Sequence, residues 1–211
     1  MDFISILKKY ENDECRHFPL LPFGKIPSSE ARKNAISPRQ AAVGIHLYYN
    51  ENGHPEVILI KRTEYEGKHS GQIAFPGGKV EPEDPDLIAT ARRECFEEIG
   101  IGMNEGEYIT QLTPVYIPIS NFDMHPFVFY HDRQPALTLN PLEVSEIIFL
   151  SLYDLTYTIQ IIEHALPYER NLLFQKNVPG FDVSPHWIWG ATALVLSELK
   201  TMFLDYSQGF E

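Results

Sequence analysis

"GQIAFPGGKVEPEDPDLIATARRECFEEIGI", residues 71–101, joins a Pro-Gly-Gly break to a helix-like run whose last turns carry Glu94, Glu97 and Glu98. The helix has start and stop signals. Asp84 is placed to cap the free amide groups, Pro85 sits where a missing N–H costs nothing, and Asp86 complements the dipole. Gly100 supplies the stop. At 3.6 residues per turn the three glutamates fall within an arc of about 100°. Leu87, Ile88, Ala91, Cys95 and Ile99 fill the neighbouring arc and are expected to face the core, which puts the carboxylates at the border of the buried face. Like charges three and four residues apart cost an isolated helix roughly 0.2–0.5 kcal/mol per pair, and partial burial raises that cost. Arg93, four residues before Glu97, compensates in part. One guanidinium does not neutralise three carboxylates.

Clustered carboxylate oxygens are the hard ligands that Mg²⁺ or Mn²⁺ prefers, and Mg²⁺ commonly shares its remaining positions with water and substrate phosphates. Gly77 and Gly78 add a backbone without side-chain obstruction, free to bring a carbonyl to a metal or an amide to an anion. These pieces suit metal-assisted cleavage of a phosphoanhydride. A solvated acidic helix face is the simpler alternative for the three glutamates taken alone.

The rest of the chain narrows the setting. Its 211 residues suit a single domain over 1–211, with residues 1–37 an N-terminal helical extension that opens on an amphipathic stretch, "MDFISILKKYENDE". Hydrophobic content of 44% with 22% charged residues argues against disorder, and no apolar run reaches the roughly 18–20 residues a bilayer requires. The start lacks a long apolar core with a small-residue cleavage site, so no signal peptide is expected. Two cysteines, Cys15 and Cys95, without metal-ligand spacing, suit a reducing cytoplasm. A net charge of −12 disfavours nucleic acid and requires local cations or metal ions for any anionic ligand.

Strands are predicted at about 41–49 and 56–62, joined by an Asn-Gly turn, and at about 108–117, 124–131 and 144–151. A second helix is predicted to start at Ser184-Pro185, a cap followed by a proline. The reading is a mixed-sheet α/β or α+β fold. His125, His164 and His186 show no ligand spacing and read as structural or exposed. Trp187 and Trp189 read as core anchors, with adenine stacking the alternative.

The pattern G-x5-D-x8-R-E-C-F-E-E-I-G-I, starting at Gly78, resembles the signature box of Nudix hydrolases. That resemblance implies a Nudix-type α/β/α sandwich with a mixed β-sheet and divalent cations held by Glu94, Glu97 and Glu98. It further implies that Arg93 orients a carboxylate and that Gly77 contributes its carbonyl. The family box has glutamate where this chain has Asp84, and the stretch from there to Arg93 is one residue longer than the general pattern. "LIKRTEYEGKHSGQIAFPGGKV" (59–80) is similar to the extended motif of the coenzyme A pyrophosphatase branch. "PRQAAV" (38–43), "EVSEIIFLSL" (143–152) and "IWGATA" (188–193) also look like features of that branch. An arginine usual in the upstream motif is Gly67 here, with Lys68 beside it.

The branch implies hydrolysis of coenzyme A, or its derivatives, to 4′-phosphopantetheine and adenosine 3′,5′-bisphosphate with Mg²⁺ or Mn²⁺. Arg39, Arg62, Lys68, His69, Gln72 and Gly78 are the expected substrate contacts. Glu97, Glu98, Glu143 and Glu146 are candidates for taking the proton of the attacking water. The alternatives are a Nudix hydrolase acting on NADH or a dinucleoside polyphosphate, and a noncatalytic nucleotide-binding regulatory module. The expected partners are a small-molecule nucleotide and, in a homodimer, a second copy of the chain, with neither nucleic acid nor membrane.

Overall fold

The computed structural model describes residues 2–22, 24–64, 70–165 and 177–209. In chain order the elements are α1 (Phe3–Leu7), a 3-10 helix (Glu14–Leu20), α2 (Ser28–Lys33), β1 (Arg39–Tyr49), β2 (Pro55–Arg62), β3 (Ile73–Ala74) and β4 (Gly77–Lys79). Then come α3 (Leu87–Ile99), β5 (Glu107–Gln111), β6 (Val115–Ile117), β7 (Phe122–Tyr130), β8 (Val144–Ser151) and α4 (Leu152–Tyr157). The C-terminal part holds β9 (Ile161–Ala165), β10 (Asn177–Val183), β11 (His186–Trp189) and α5 (Gly190–Ser207).

Alternation along β1 sorts these elements into layers, because successive side chains leave opposite faces of a strand. Val43, Ile45 and Leu47 share one core with Val57 and Leu59 of β2 and with Val195, Leu196 and Leu199 of α5. On the opposite face Ala42 packs with Ala91 of α3, and Tyr48 with Ile99. Gly44 lies under α3, where a Cβ would come within 2.5 Å of the Cys95 sulfur, so the glycine sets how closely helix and sheet approach. β1 pairs antiparallel with β2 and β4 and parallel with β7. The sheet is therefore mixed and covered by a helix on each face. β9, β10 and β11 form a second, antiparallel sheet.

The N-terminal elements join the α5 side. Phe3, Leu7 and Leu20 are buried in the α5 core, with the Phe3 ring edge-on to Phe203 at 5.5 Å. Glu198 of α5 is fully buried and accepts from Tyr10 Oη (2.5 Å), the Thr113 amide (3.1 Å) and Thr113 Oγ1 (2.7 Å), and its other oxygen lies 2.9 Å from His17 Nε2. Buried carboxylates persist only when so satisfied. Among the described residues no helix is long and apolar enough to cross a membrane.

Three expectations need correction. α3 begins at Leu87 with Asp86, not Asp84, as its cap: the Asp86 side chain accepts from the Ala89 amide at 2.8 Å. Asp84 is engaged elsewhere by Arg93, as described below. The Ser184-Pro185 pair does not start a helix. It forms the cis turn between β10 and β11, and α5 starts at Gly190. Trp187, Ile188 and Trp189 favour a pleated strand, and pairing with β10 decides in its favour. The predicted strand at 108–117 is two strands, β5 and β6, parted at Thr113-Pro114, where proline offers no ladder donor and the Thr113 amide is given to Glu198.

Candidate active site

β4 pairs antiparallel with β1 at a point where only glycine fits. Gly77 has φ +150°, and a Cβ there would lie 2.4 Å from the Ala42 carbonyl oxygen and 2.5 Å from Val43 Cα. At Gly78 a Cβ would lie 2.5 Å from the Glu94 carboxyl carbon. The two glycines thus let the loop settle between β1 and α3, with the Glu94 carboxylate directly over the backbone. The Gly77 amide donates to Glu98 Oε2 at 2.8 Å.

The three box glutamates have distinct environments. Glu97 is half-exposed, Glu94 is mostly buried, and Glu98 is only 1% exposed. Glu98 Oε1 lies 3.2 Å from Arg62 Nη1, so both oxygens of this buried carboxylate have donors. Burial pushes the Glu98 carboxyl up to about 7, although Arg62 and the Gly77 amide pull the other way. Glu94 is likewise raised by burial, opposed by Arg93 and reinforced by the charges of Glu97 and Glu143.

Arg93 organises the cluster. Its Nε and Nη2 each donate to Asp84 at 2.9 Å, and Nη2 also reaches the Lys79 carbonyl at 3.1 Å. That leaves Nη1 to bridge Glu94 at 3.1 Å and Glu97 at 3.0 Å. The bidentate fork holds the guanidinium plane, and the plane holds two carboxylates. Arg93, above all, holds the Asp84 carboxyl far below the usual range. This role of Asp84 was missed in the sequence, although it stands at the box position where the family has glutamate.

These groups open on a cavity of about 1070 Å³. Glu94, Glu97, Glu143, Gly77 and Gly78 line it together with Arg39, Arg62, Arg93 and Gln72. Its apolar wall, which no motif disclosed, comes from Ile117, Phe122, Met124 and Trp189. Arg39 is exposed, sits 4.1 Å over the Phe122 ring and donates to the Ser120 carbonyl at 2.8 Å. Glu146 does not line this cavity; it lies 3.2 Å from His186. Lys68 and His69 fall outside the described residues.

The donor set fits a hard divalent cation. Asp84, Glu94, Glu97, Glu98 and Glu143 bring only oxygen, and their direct ionic partners among the described residues are Arg62 and Arg93. Among the described residues the cluster thus holds more carboxylates than cations. Among the described residues no three His, Cys, Asp or Glu side chains close on one point. The arrangement is open towards the cavity, which suits an ion that keeps water and phosphate oxygens in its shell.

A NUDIX domain model matches residues 38–170. Uncharacterized Nudix hydrolase NudL of Yersinia pestis (strain Pestoides F) is 30% identical over 169 residues, covering 76% of this chain and 78% of its own length. NudL of Yersinia pseudotuberculosis serotype O:1b matches to the same extent. Among solved structures, the Nudix hydrolase RenU from M. smegmatis superposes with a TM-score of 0.54 at 13% identity, over 79% of this chain and 86% of that one, a likeness of fold.

Proposed function

The chain belongs to the Nudix hydrolase family, and we propose that its substrate is coenzyme A or a derivative, cut at the pyrophosphate to 4′-phosphopantetheine and adenosine 3′,5′-bisphosphate. The observation that carries this reading is the joining of an oxygen cluster to a large cavity with an apolar wall. A diphosphate alone needs the first; a diphosphate bearing a long, weakly polar arm uses both. The similarity of residues 59–80 to the coenzyme A branch points the same way.

Glu94 and Glu97, with Glu98 and the Gly77 backbone beside them, are assigned to hold Mg²⁺ or Mn²⁺. When bound, the ion lowers the pKa of the attacking water and neutralises charge on the phosphate oxygens. Arg93 keeps Glu94 and Glu97 aimed at one place. Glu98 ties α3 to the Gly77 loop and to Arg62, fixing the distance between helix and loop. Arg39, Arg62 and Gln72 are assigned to the diphosphate and its flanks, Gly78 to its backbone contact, and Lys68 and His69 to the same end of the substrate. Glu143, on the cavity wall and exposed, is assigned to take the proton from water. We treat residues 1–211 as one functional unit with 1–37 as its extension, and place it in the cytoplasm because both cysteines are free thiols.

The test is turnover of coenzyme A, NADH and diadenosine tetraphosphate with Mg²⁺ or Mn²⁺, products identified by mass. Coenzyme A should give 4′-phosphopantetheine and adenosine 3′,5′-bisphosphate at the highest kcat/KM. Coenzyme A left intact while NADH yields nicotinamide mononucleotide and AMP would reject the substrate.

A further inference from the structure

A second cavity, of about 440 Å³, lies against the first. Gln72, Ile73 and Trp189 line both, so a ligand anchored at the carboxylates has a path past Trp189 into it. Its floor is the outward face of β11, where Trp187 and Trp189, two residues apart, leave the strand on one side. Their rings stack at 5.5 Å with 20° between planes. The intervening Ile188 points the other way and is fully buried in the α5 core, so the stack is held by a strand whose opposite face is fixed.

The seat for Trp187 is built. At Gly180 of β10 a Cβ would fall 2.4 Å from Trp187 Nε1, so glycine is what lets the indole lie flat on the neighbouring strand. Both indoles are only partly buried, and both line the cavity. A flat π surface flush with a cavity recognises another flat π system.

The charges around the cavity decide which part of a nucleotide that is. Lys61 lines it and forms no ion pair within 4 Å among the described residues, but Glu64 lines it too, and Glu146 stands opposite Lys61 in the β2–β8 register with His186 at 3.2 Å. One ammonium among two carboxylates is a poor phosphate site. It offers instead donors and acceptors for the edge of an uncharged heteroaromatic ring.

We propose that this cavity is the base subsite: the purine of the substrate's nucleotide half stacks on Trp187 and Trp189, with Lys61 and Glu64 at its hydrogen-bonding edge. This rests on the reading of the larger cavity as the phosphoanhydride site, and it assigns the opposite, apolar end of that cavity to the non-nucleotide arm.

The chain contains two tryptophans, both in this stack, so selectively excited tryptophan fluorescence reports on the stack and, through Trp189, on the mouth of the larger cavity. AMP titrated into the full chain should change that fluorescence saturably, and ribose 5-phosphate at equal concentration should not. Trp187→Leu should weaken AMP binding about 5- to 150-fold, the range seen when one base-stacking aromatic is removed, and Trp187→Phe should restore most of it. Should Trp187→Leu fail to fold, Lys61→Ala, which lines the smaller cavity and not the larger, takes its place and should weaken AMP binding while leaving ribose 5-phosphate unaffected; unchanged AMP binding would overturn the subsite. AMP that competitively inhibits hydrolysis without altering tryptophan fluorescence would overturn the subsite and leave the hydrolase reading standing. Fluorescence that responds to AMP in a protein that leaves coenzyme A intact would sink the substrate and keep the subsite.

Discussion

Replacing Glu98 with glutamine separates the two demands made on this side chain. The fold places a carboxyl at 1% exposure between Arg62 and the Gly77 amide, and burial lifts it from its ordinary 4.5 to about 7. That difference amounts to about 3 kcal/mol between its two protonation states. Because the folded value is raised, the group's contribution is fully present below pH 4.5 and is lost as pH climbs through 7. Glutamine never ionises, but its single carbonyl oxygen satisfies only one of the two donors and turns an amino group towards the other, a loss of about 1–3 kcal/mol. In metal-free buffer Glu98→Gln should therefore be the less stable protein at pH 5 and equal to or above wild type at pH 8, a relative swing of about 3 kcal/mol. Urea unfolding of both proteins at the two pH values, with chelator present, reads this directly. Turnover with Mg²⁺ should meanwhile fall by about 100-fold or more, because a charge placed for the metal-loaded reaction is gone. A stability difference that stays constant from pH 5 to pH 8 would refute the buried-charge reasoning.

Other perturbations reach different parts of the account. Arg93→Met leaves the Asp84 carboxylate without its fork, and should cost about 1.5–3 kcal/mol in urea unfolding and lower kcat as Glu94 and Glu97 lose their shared donor. Gly78→Ala sets a methyl against the Glu94 carboxylate, a movable side chain, so kcat should fall at least tenfold with the thermal midpoint nearly kept. Gly77→Ala meets β1 backbone, and the midpoint itself should drop; equal effects of the two substitutions would contradict this distinction. His46 and His131, bonded at 2.8 Å, are both lowered by burial, so the stability they contribute is present above pH 6.5 and lost as pH falls below it. His46→Gln should lessen the fall in thermal midpoint between pH 7 and pH 5, and an unaltered fall would remove His46 as a cause.

Residues 71–101 disclosed a capped helix with carboxylates at the edge of its buried face because helical periodicity is local: which side chains share an arc needs no knowledge of the rest of the chain. The same locality explains what was misread. Asp84 looks like a cap from its neighbours Pro85 and Asp86, and its true partner, Arg93, appears only when the loop at 81–86 folds back along the helix. Ser184-Pro185 carries start chemistry that is overruled by pairing of residues 186–189 with β10, a non-local contact. Spacing placed Glu98 with Glu94 and Glu97 on one arc but gave no sign of its surroundings: Arg62, 36 residues upstream, and the Gly77 amide supply its donors and it is buried. The Arg-Glu-x-x-Glu-Glu run was visible as a chemical group; the cavity wall of Ile117, Phe122 and Met124 was not, since ordinary apolar strand residues give no sign of which ones border a void.

The proposed hydrolysis requires divalent metal gathered by α3 beside the Gly77 loop. Mn²⁺ titration followed by electron paramagnetic resonance, with and without coenzyme A, in wild type and in the Glu94→Gln/Glu97→Gln double variant, tests it most directly. Wild type should bind Mn²⁺ and change its signal when coenzyme A is added, and the double variant should do neither while remaining folded. Mn²⁺ bound with equal affinity by both proteins would contradict the account.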